Sequence, residues 1–518
     1  MMRCIRPLCL ATCFGLSALG LTAQPSSGTP ENGQASGAVS DAEERPGQAL
    51  LPAEASVTEH TVELNGETIA YTATAGTLTL RDAEEKPTAE IFYIAYTRKG
   101  VERADRPITF SFNGGPGSSS VWLHMGVLGP RRVHLEADGS PVPPPYKLVD
   151  NEASLLDVTD LVFIDPVSTG FSRAKDPETA KRFHGVEGDT SSVADFIRLY
   201  TTRHARWTSP KFLIGESYGT TRAAALAGEL AEEHRMNLNG LILVSAVLDF
   251  QTIRFTEGND LPFVLFLPTY TATAWYHEQL PDDLQERELE EVLARAESFA
   301  AGPYQSALFA GASLEADERA AVLGELARFT GLDEAYLDRT DLRPTIFEFT
   351  AELLRGQDKV VGRFDSRYTG HALRRDAPQM EFDPSGEAFF SAYASTFQDY
   401  VRTELGFETD RPYEILTRNV WPWDWGADNA YLNVAETLAE VLTQQPFLRL
   451  HIDNGYYDLA TPYWATHYTL NHLGVPPAVR ERISMEHYTA GHMMYLNLPD
   501  LARQKAALAK FIRKASGQ

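Results

Sequence analysis

The run Gly215-Glu216-Ser217-Tyr218-Gly219 sets a serine between small neighbours, and a hydroxyl placed there becomes a nucleophile once a base takes its proton. Only glycine lets backbone crowd around so tight a strand-to-helix elbow, which pushes the serine out at the end of the strand. Attack on a carbonyl leaves negative charge on its oxygen, and backbone N–H groups aimed at that oxygen stabilise it. Two such groups suit this elbow: Tyr218, next after the serine, and Gly115 in the earlier run Asn113-Gly114-Gly115-Pro116-Gly117. A phosphate cradle is the competing reading of that run. It lacks the required lysine and the Gly-x-Gly-x-x-Gly spacing, which sets nucleotide binding aside.

Base and acid follow an elbow serine in chain order, each in a loop beyond a strand. His492, in Thr489-Ala490-Gly491-His492, fits the base. Its rival His487 sits at the end of the preceding predicted strand, where a histidine held by structural partners is expected. For the acid, Asp453 and Asp458 both follow the predicted strand that starts at Phe447. Position alone does not separate them.

The surrounding elements have to bring these residues together. Residues 61–64, the turn Asn65-Gly66 and residues 68–74 read as a hairpin, with further strands at 77–80 and 90–97, so an antiparallel edge comes first. Apolar strands at 108–112, 161–165, 211–216 and 241–245 then alternate with helices at 190–204 and 220–234. That alternation predicts an α/β protein with a mainly parallel central sheet and helices on both faces. With a serine elbow at a strand end it is the α/β-hydrolase fold. Between residues 250 and 443 the alternation stops, and helical periods at 284–299, 314–329 and 386–403 predict a mainly helical cap insertion. Strands resume at 447–453 and 483–486, and a last helix covers 500–514. The hydrolase domain is thus expected in two parts, 56–249 and 444–518.

Composition bounds the setting. The chain of 518 residues is 43% hydrophobic and 23% charged, ordinary for a globular protein with a large core. Its 71 acidic and 46 basic residues give a net charge of -25, which repels polyanions, so no nucleic-acid partner is expected. Arg3 and Arg6, an apolar stretch at 8–21 and Leu21-Thr22-Ala23 predict a signal peptide over residues 1–23. That stretch falls short of the roughly 20 residues of a stable membrane span. Residues 24–55, poor in large apolar side chains, read as a disordered linker. Cys4, Cys9 and Cys13 all lie within the signal, so the exported chain, periplasmic or extracellular, is expected to carry no disulfide, thiolate metal site or cysteine nucleophile. No cofactor or metal is expected, and no oligomeric state is implied.

Taken as blocks, the residues resemble the serine carboxypeptidases. FNGGPGSSS at 112–120, LVFIDPVSTGFS at 161–172, FLIGESYG at 212–219, GYYDLATP at 455–462 and AGH at 490–492 stand in that family's order, and the resemblance spans residues 90–515. It implies removal of C-terminal residues from a peptide substrate through an acyl-enzyme, with Asp458 in the acid role. It also implies that Asn113 and Glu216 receive the substrate's free carboxylate. Two further contacts of the family are replaced, a tryptophan by Ser111 and a glutamate by Val127. A cation is expected to fill that gap, from Arg222, Arg131 or Arg132, because arginine holds a carboxylate bidentately at neutral pH. The missing disulfides place the chain in a divergent, bacterial branch. Two readings stand beside the peptidase: an esterase, amidase or acyltransferase on the same triad, and a non-catalytic binding protein of the same fold.

Overall fold

Asn65 and Gly66 take left-handed backbone, with φ of 52° and 78°, as a two-residue hairpin turn demands. They join strand β1 (Ser56–Leu64) to β2 (Glu67–Arg81). The structure is a computed structural model that describes residues 55–518. The expected signal peptide, the linker up to residue 54 and all three cysteines lie outside the described residues. Strand β2 also absorbs residues 77–80, expected as a separate strand. Ala75 and Gly76 stay in register opposite Ile94 and Tyr93 of β3 (Pro87–Arg98), because a lone glycine weakens a long paired strand without removing its hydrogen bonds.

The longer strands of the central sheet that follow are β4 (Ile108–Phe112), β5 (Asp160–Ile164), β6 (Lys211–Glu216), β7 (Gly240–Val244), β8 (Arg449–Gly455) and β9 (Ile483–Tyr488). They form one sheet in the order β1-β2-β3-β5-β4-β6-β7-β8-β9, with a two-residue strand, Arg173–Ala174, beside β3. Pairing is antiparallel from β1 to β5 and parallel from β5 to β9. This is the α/β-hydrolase fold that the alternation predicts. Because the chain leaves β4 for β5 on one side and returns to β6 on the other, the order reverses between β4 and β6. A crevice opens at the carboxyl ends of strands at such a point, and both Gly115 and Ser217 follow those two strands.

Among the described residues the longer helices are α1 (Val186–Arg203), α2 (Tyr218–Glu232), α3 (Leu261–Tyr276), α4 (Leu289–Phe299), α5 (Ala316–Thr330), α6 (Pro384–Thr403), α7 (Ala435–Gln444) and α8 (Leu498–Ser516). Leu213 packs with α1, α2 and α7 on one face of the sheet, while its neighbours Phe212 and Ile214 pack with α6 and α8 on the other. A strand buried on both sides has to be apolar throughout. Truncating Leu213 to alanine at such a site costs about 2–5 kcal/mol. Helices α3, α4 and α5 build a third cluster of their own around Phe266, Val292 and Leu326. Within 250–443, therefore, α6 and α7 join the two faces of the sheet, Leu405 and Phe407 pack into the α6 face, and Val420 and Trp423 pack on Tyr218, while α3, α4 and α5 cluster apart. The helix expected at 284–299 begins only at Leu289, after a single turn at Asp282–Gln285; the carbonyl of Arg287 is taken by Trp275 Nε1. Among the described residues no helix is long and apolar enough to cross a membrane, and no group of three or more His, Asp, Glu or Cys could hold a metal ion.

Candidate active site

Strand β6 ends at Glu216 and α2 begins at Tyr218, which leaves Ser217 alone at the elbow with φ 60° and ψ -131°. An L-residue in that region is strained by about 1–3 kcal/mol. The strain is held by the Ser217 N–H donating to Val244 O (3.0 Å) and by the Thr220 N–H and hydroxyl donating to Ser217 O (2.8 and 2.7 Å). A Cβ on Gly215 would stand 2.1 Å from Gly219 O, which is why the elbow needs glycine there.

The glycine run after β4 lies against this elbow. A Cβ on Gly114 would come within 2.4 Å of Tyr218 N, and Gly115 takes φ +104°. Tyr218 opens α2, so its N–H has no partner within the helix. The glycine run and the first residue of α2 are therefore packed together, with Gly114 against Tyr218 N.

His492 and Asp458 meet directly, Nδ1 to Oδ2 at 2.7 Å. Asp458 is fully buried and is fixed by the Ala460 and Thr461 N–H groups on Oδ1 (2.7 and 3.0 Å) and by the Thr461 hydroxyl on Oδ2 (2.7 Å). An ionised carboxylate only accepts, so Nδ1 carries the proton and Nε2 is left with a free lone pair. Burial works against the charged imidazole, but the charge and hydrogen bond of Asp458, with Glu216 beyond, outweigh it and raise the His492 pKa above its ordinary value. The ring is set by the backbone as well. His492 N–H donates to Phe364 O (2.6 Å), and Ser245 Oγ donates to His492 O (2.7 Å). Elbow and base therefore hang from consecutive residues, Val244 and Ser245. Ser217 Oγ and His492 make no direct hydrogen bond in the structure; such contacts often tighten only around substrate.

Asp453 and His487 are held elsewhere. Asp453 lies within β8 and accepts from His451 (3.1 Å), Tyr488 OH (3.1 Å) and Gln504 Nε2 (2.9 Å). His487 pairs with His467 at 2.8 Å, and burial, with His467 beside it, lowers its pKa to about 4.

Glu216, behind the nucleophile, accepts from Asn113 Nδ2 on Oε1 (2.9 Å) and from Tyr495 OH on Oε2 (2.6 Å). Burial raises its pKa to about 7 against the pull of His492 and these two hydrogen bonds. Ser111 and Val127 are both fully buried. Tyr495 is the contact that sequence reasoning missed; nothing but its place three residues beyond His492 pointed to it. Thr461 and Phe364 were missed as well, although Thr461 stands inside the GYYDLATP block.

The expected cation clamp fails on Arg222 and Arg131, whose guanidinium groups are taken by acids of the fold. Arg222 is 1% exposed, and its guanidinium is spent on Asp189 (2.7 Å) and Asn113 O (2.6 Å). Its work is to fasten the glycine loop to α2. Arg131 pairs with Asp150 and with Glu404 (2.9 Å), and Arg132 turns toward Val133 O (3.5 Å). For Arg222 and Arg131 the fold supplies the carboxylate, and sequence spacing did not reveal those partners.

A model of the serine carboxypeptidase family matches residues 66–498. Among curated proteins, the pheromone-processing carboxypeptidase KEX1 of Saccharomyces cerevisiae is 33% identical over 156 residues, 28% of this chain and 20% of that protein. Serine carboxypeptidase-like 36 of Arabidopsis thaliana is 29% identical over 170 residues, 31% of this chain and 32% of that protein. The chain thus spans about a fifth to a third of the length of these curated relatives. Among solved structures, a proline iminopeptidase of Mycobacterium smegmatis is similar at 13% identity and a TM-score of 0.36, over 85% of this chain and 99% of that one. A carboxyl esterase of Bacillus coagulans is similar at 12% identity and a TM-score of 0.35, over 85% and 99%.

Proposed function

We propose, from the premise that this chain belongs to the serine carboxypeptidase family, that it is an exported serine carboxypeptidase releasing C-terminal residues from peptides through an acyl-enzyme. Ser217 attacks the scissile carbonyl, His492 Nε2 takes its proton and later delivers it to the leaving amine, and Asp458 holds the ring and stabilises its cation. The N–H groups of Gly115 and Tyr218 receive the oxyanion. Asn113 and Glu216 receive the free carboxylate of the departing residue, with Glu216 acting as a neutral acid that donates to it.

One observation carries the reading: a strained serine elbow with a glycine loop packed on its helix N-terminus, in the same sheet whose last loops lock His492 on Asp458 at 2.7 Å. Ser111 and Val127, standing where the family has further carboxylate contacts, favour a second reading as an esterase, amidase or acyltransferase on the same triad. Blocked dipeptides with free or amidated C-termini, assayed beside simple esters, separate the two. Cleavage of free acids well ahead of amides is expected. Equal cleavage of both removes the carboxypeptidase assignment and leaves the acyl chemistry.

A further inference from the structure

Among the described residues two guanidinium groups beside the site make no ion pair, in a chain where acids outnumber bases by 71 to 46. Arg363 is tied to the catalytic loops by its neighbours' backbone: Leu459, next to Asp458, donates to Arg363 O (3.0 Å), and His492 donates to Phe364 O (2.6 Å). The Phe364 ring lies 5.3 Å from Arg363 Cζ and 5.4 Å from the His492 ring, so guanidinium and imidazole share one phenyl. Arg363 Nε is buried without a hydrogen-bond partner.

Arg254 approaches from the other wall. Its Cζ stands 5.0 Å over the Trp425 ring and 5.4 Å over Phe250, and Trp425 meets Tyr218, the residue after the nucleophile, at 6.1 Å. Among the described residues neither guanidinium makes an ion pair or a side-chain hydrogen bond. Each keeps its neighbourhood cationic. Burial pulls both below the ordinary guanidinium pKa; Arg363 lowers Arg254 further, while Asp383 and Asp458 partly offset the loss at Arg363.

Two like charges that repel each other and are partly desolvated are costly unless an anion completes them. Aromatic faces steady both of them but supply no acceptor. Guanidinium donors are shaped for a carboxylate. The nearby acids are already engaged, Asp458 by His492, Asp383 by Ser385 and Glu216 by Asn113 and Tyr495, so the completing anion is one that comes with the substrate. We propose that Arg254 and Arg363 form an anion subsite beside the triad that receives the side-chain carboxylate of an acidic residue flanking the scissile bond. This rests on the peptidase reading given above, and it makes the substrates acidic peptides despite the protein's own acidic surface.

The test compares blocked dipeptides carrying glutamate with the same peptides carrying glutamine, on the parent and on Arg254→Gln and Arg363→Gln, with folding checked by circular dichroism. The parent is expected to prefer glutamate, and each substitution to cut the glutamate-to-glutamine ratio of kcat/KM by roughly tenfold or more. Arg254→Glu, the more peripheral change, should turn the preference toward lysine. Equal losses on both peptides would make the arginines structural and overturn the proposal. So would losses that disappear when the C-terminus is amidated, since they would assign the pair to the terminal carboxylate. If no variant and no parent cleaves any of these peptides, it is the peptidase reading that falls.

Discussion

Two Ser–His–Asp sets stand on the last strands of the sheet. In one, His451 bridges Ser484 Oγ (2.9 Å) and Asp453 Oδ1 (3.1 Å); in the other, Asp458 holds His492 beside the Ser217 elbow. Both histidines are buried. In both, burial works against the imidazolium, and the aspartate outweighs it and raises the pKa. Their surroundings divide them. Ser484 and His451 face each other across the β8–β9 ladder, and both ring nitrogens are filled, which is how a polar pair stitches two strands. Asp453 is shared with Tyr488 and Gln504. Ser484 sits on a strand, with no strained elbow. Asp458 is held by its own loop alone, so the ring's second nitrogen stays free, next to a serine in a conformation that only the glycine-lined elbow tolerates. Residue types do not make a nucleophile; backbone geometry and an unfilled nitrogen do.

The largest expected effect breaks the resemblance between the sets. Ser217→Ala and His492→Ala should each lower turnover on the order of a millionfold, and the double variant little further, because such groups act as a unit. Ser484→Ala and His451→Ala should turn over as the parent does, molecule for folded molecule. A fluorophosphonate with mass-spectrometric mapping should label Ser217 and leave Ser484 bare. Label on Ser484, or full activity in Ser217→Ala, would reverse the assignment.

The next effect separates the two acids. Asp458→Asn should cut kcat by roughly 10³–10⁴, since the amide no longer fixes the tautomer or stabilises the cation, while urea unfolding stays close to the parent. Asp453→Asn should keep its kcat and lose stability by about 1–3 kcal/mol, the cost of leaving buried donors unmatched. If the folded variants rank the other way, Asp453 is the acid.

What the sequence disclosed follows the same division. Strand β6 runs over the residues expected for it, and Asn65-Gly66 turns where its types demand, because periodicity and glycine act locally. The elbow was legible for the same reason. Asp458 and Asp453 were not separable by spacing, since the expected strand ended at Asp453 itself, and only its extension to Gly455 puts that residue inside the strand and leaves Asp458 in the loop. Arg222 was misjudged because its partner Asp189 sits on α1, and a pairing between two helices leaves no local trace. Tyr495 escaped for a like reason: its oxygen reaches Glu216 from a segment far along the chain. Long-range side-chain partners, more than elements, were what the sequence withheld.

The smallest effect bears on that missed contact. Below about 7, where burial holds its pKa, Glu216 is neutral and can donate to a substrate carboxylate; above it the group is an anion and repels one. KM for a free-carboxylate peptide should therefore rise as pH passes through about 7, while an ester without that carboxylate shows no such rise. His492 must be neutral to take the Ser217 proton, and Asp458 raises its pKa against the effect of burial. Both substrates should thus lose kcat/KM on acidification, the fall beginning above the ordinary imidazole pKa of about 6.5. The two groups interact, so the inflections belong to the pair, and the peptide profile is a narrow bell where the ester's is a plateau toward alkaline pH. Tyr495 donates to Glu216 and so favours its anion. Tyr495→Phe removes that bond, raises the carboxyl's pKa and should carry the KM rise to higher pH, with a change in KM below about tenfold, the worth of one hydrogen bond. The ester profile should stay where it is. A KM inflection that moves to lower pH, or one that appears equally with the ester, would mean that Glu216 does not receive the substrate's carboxylate.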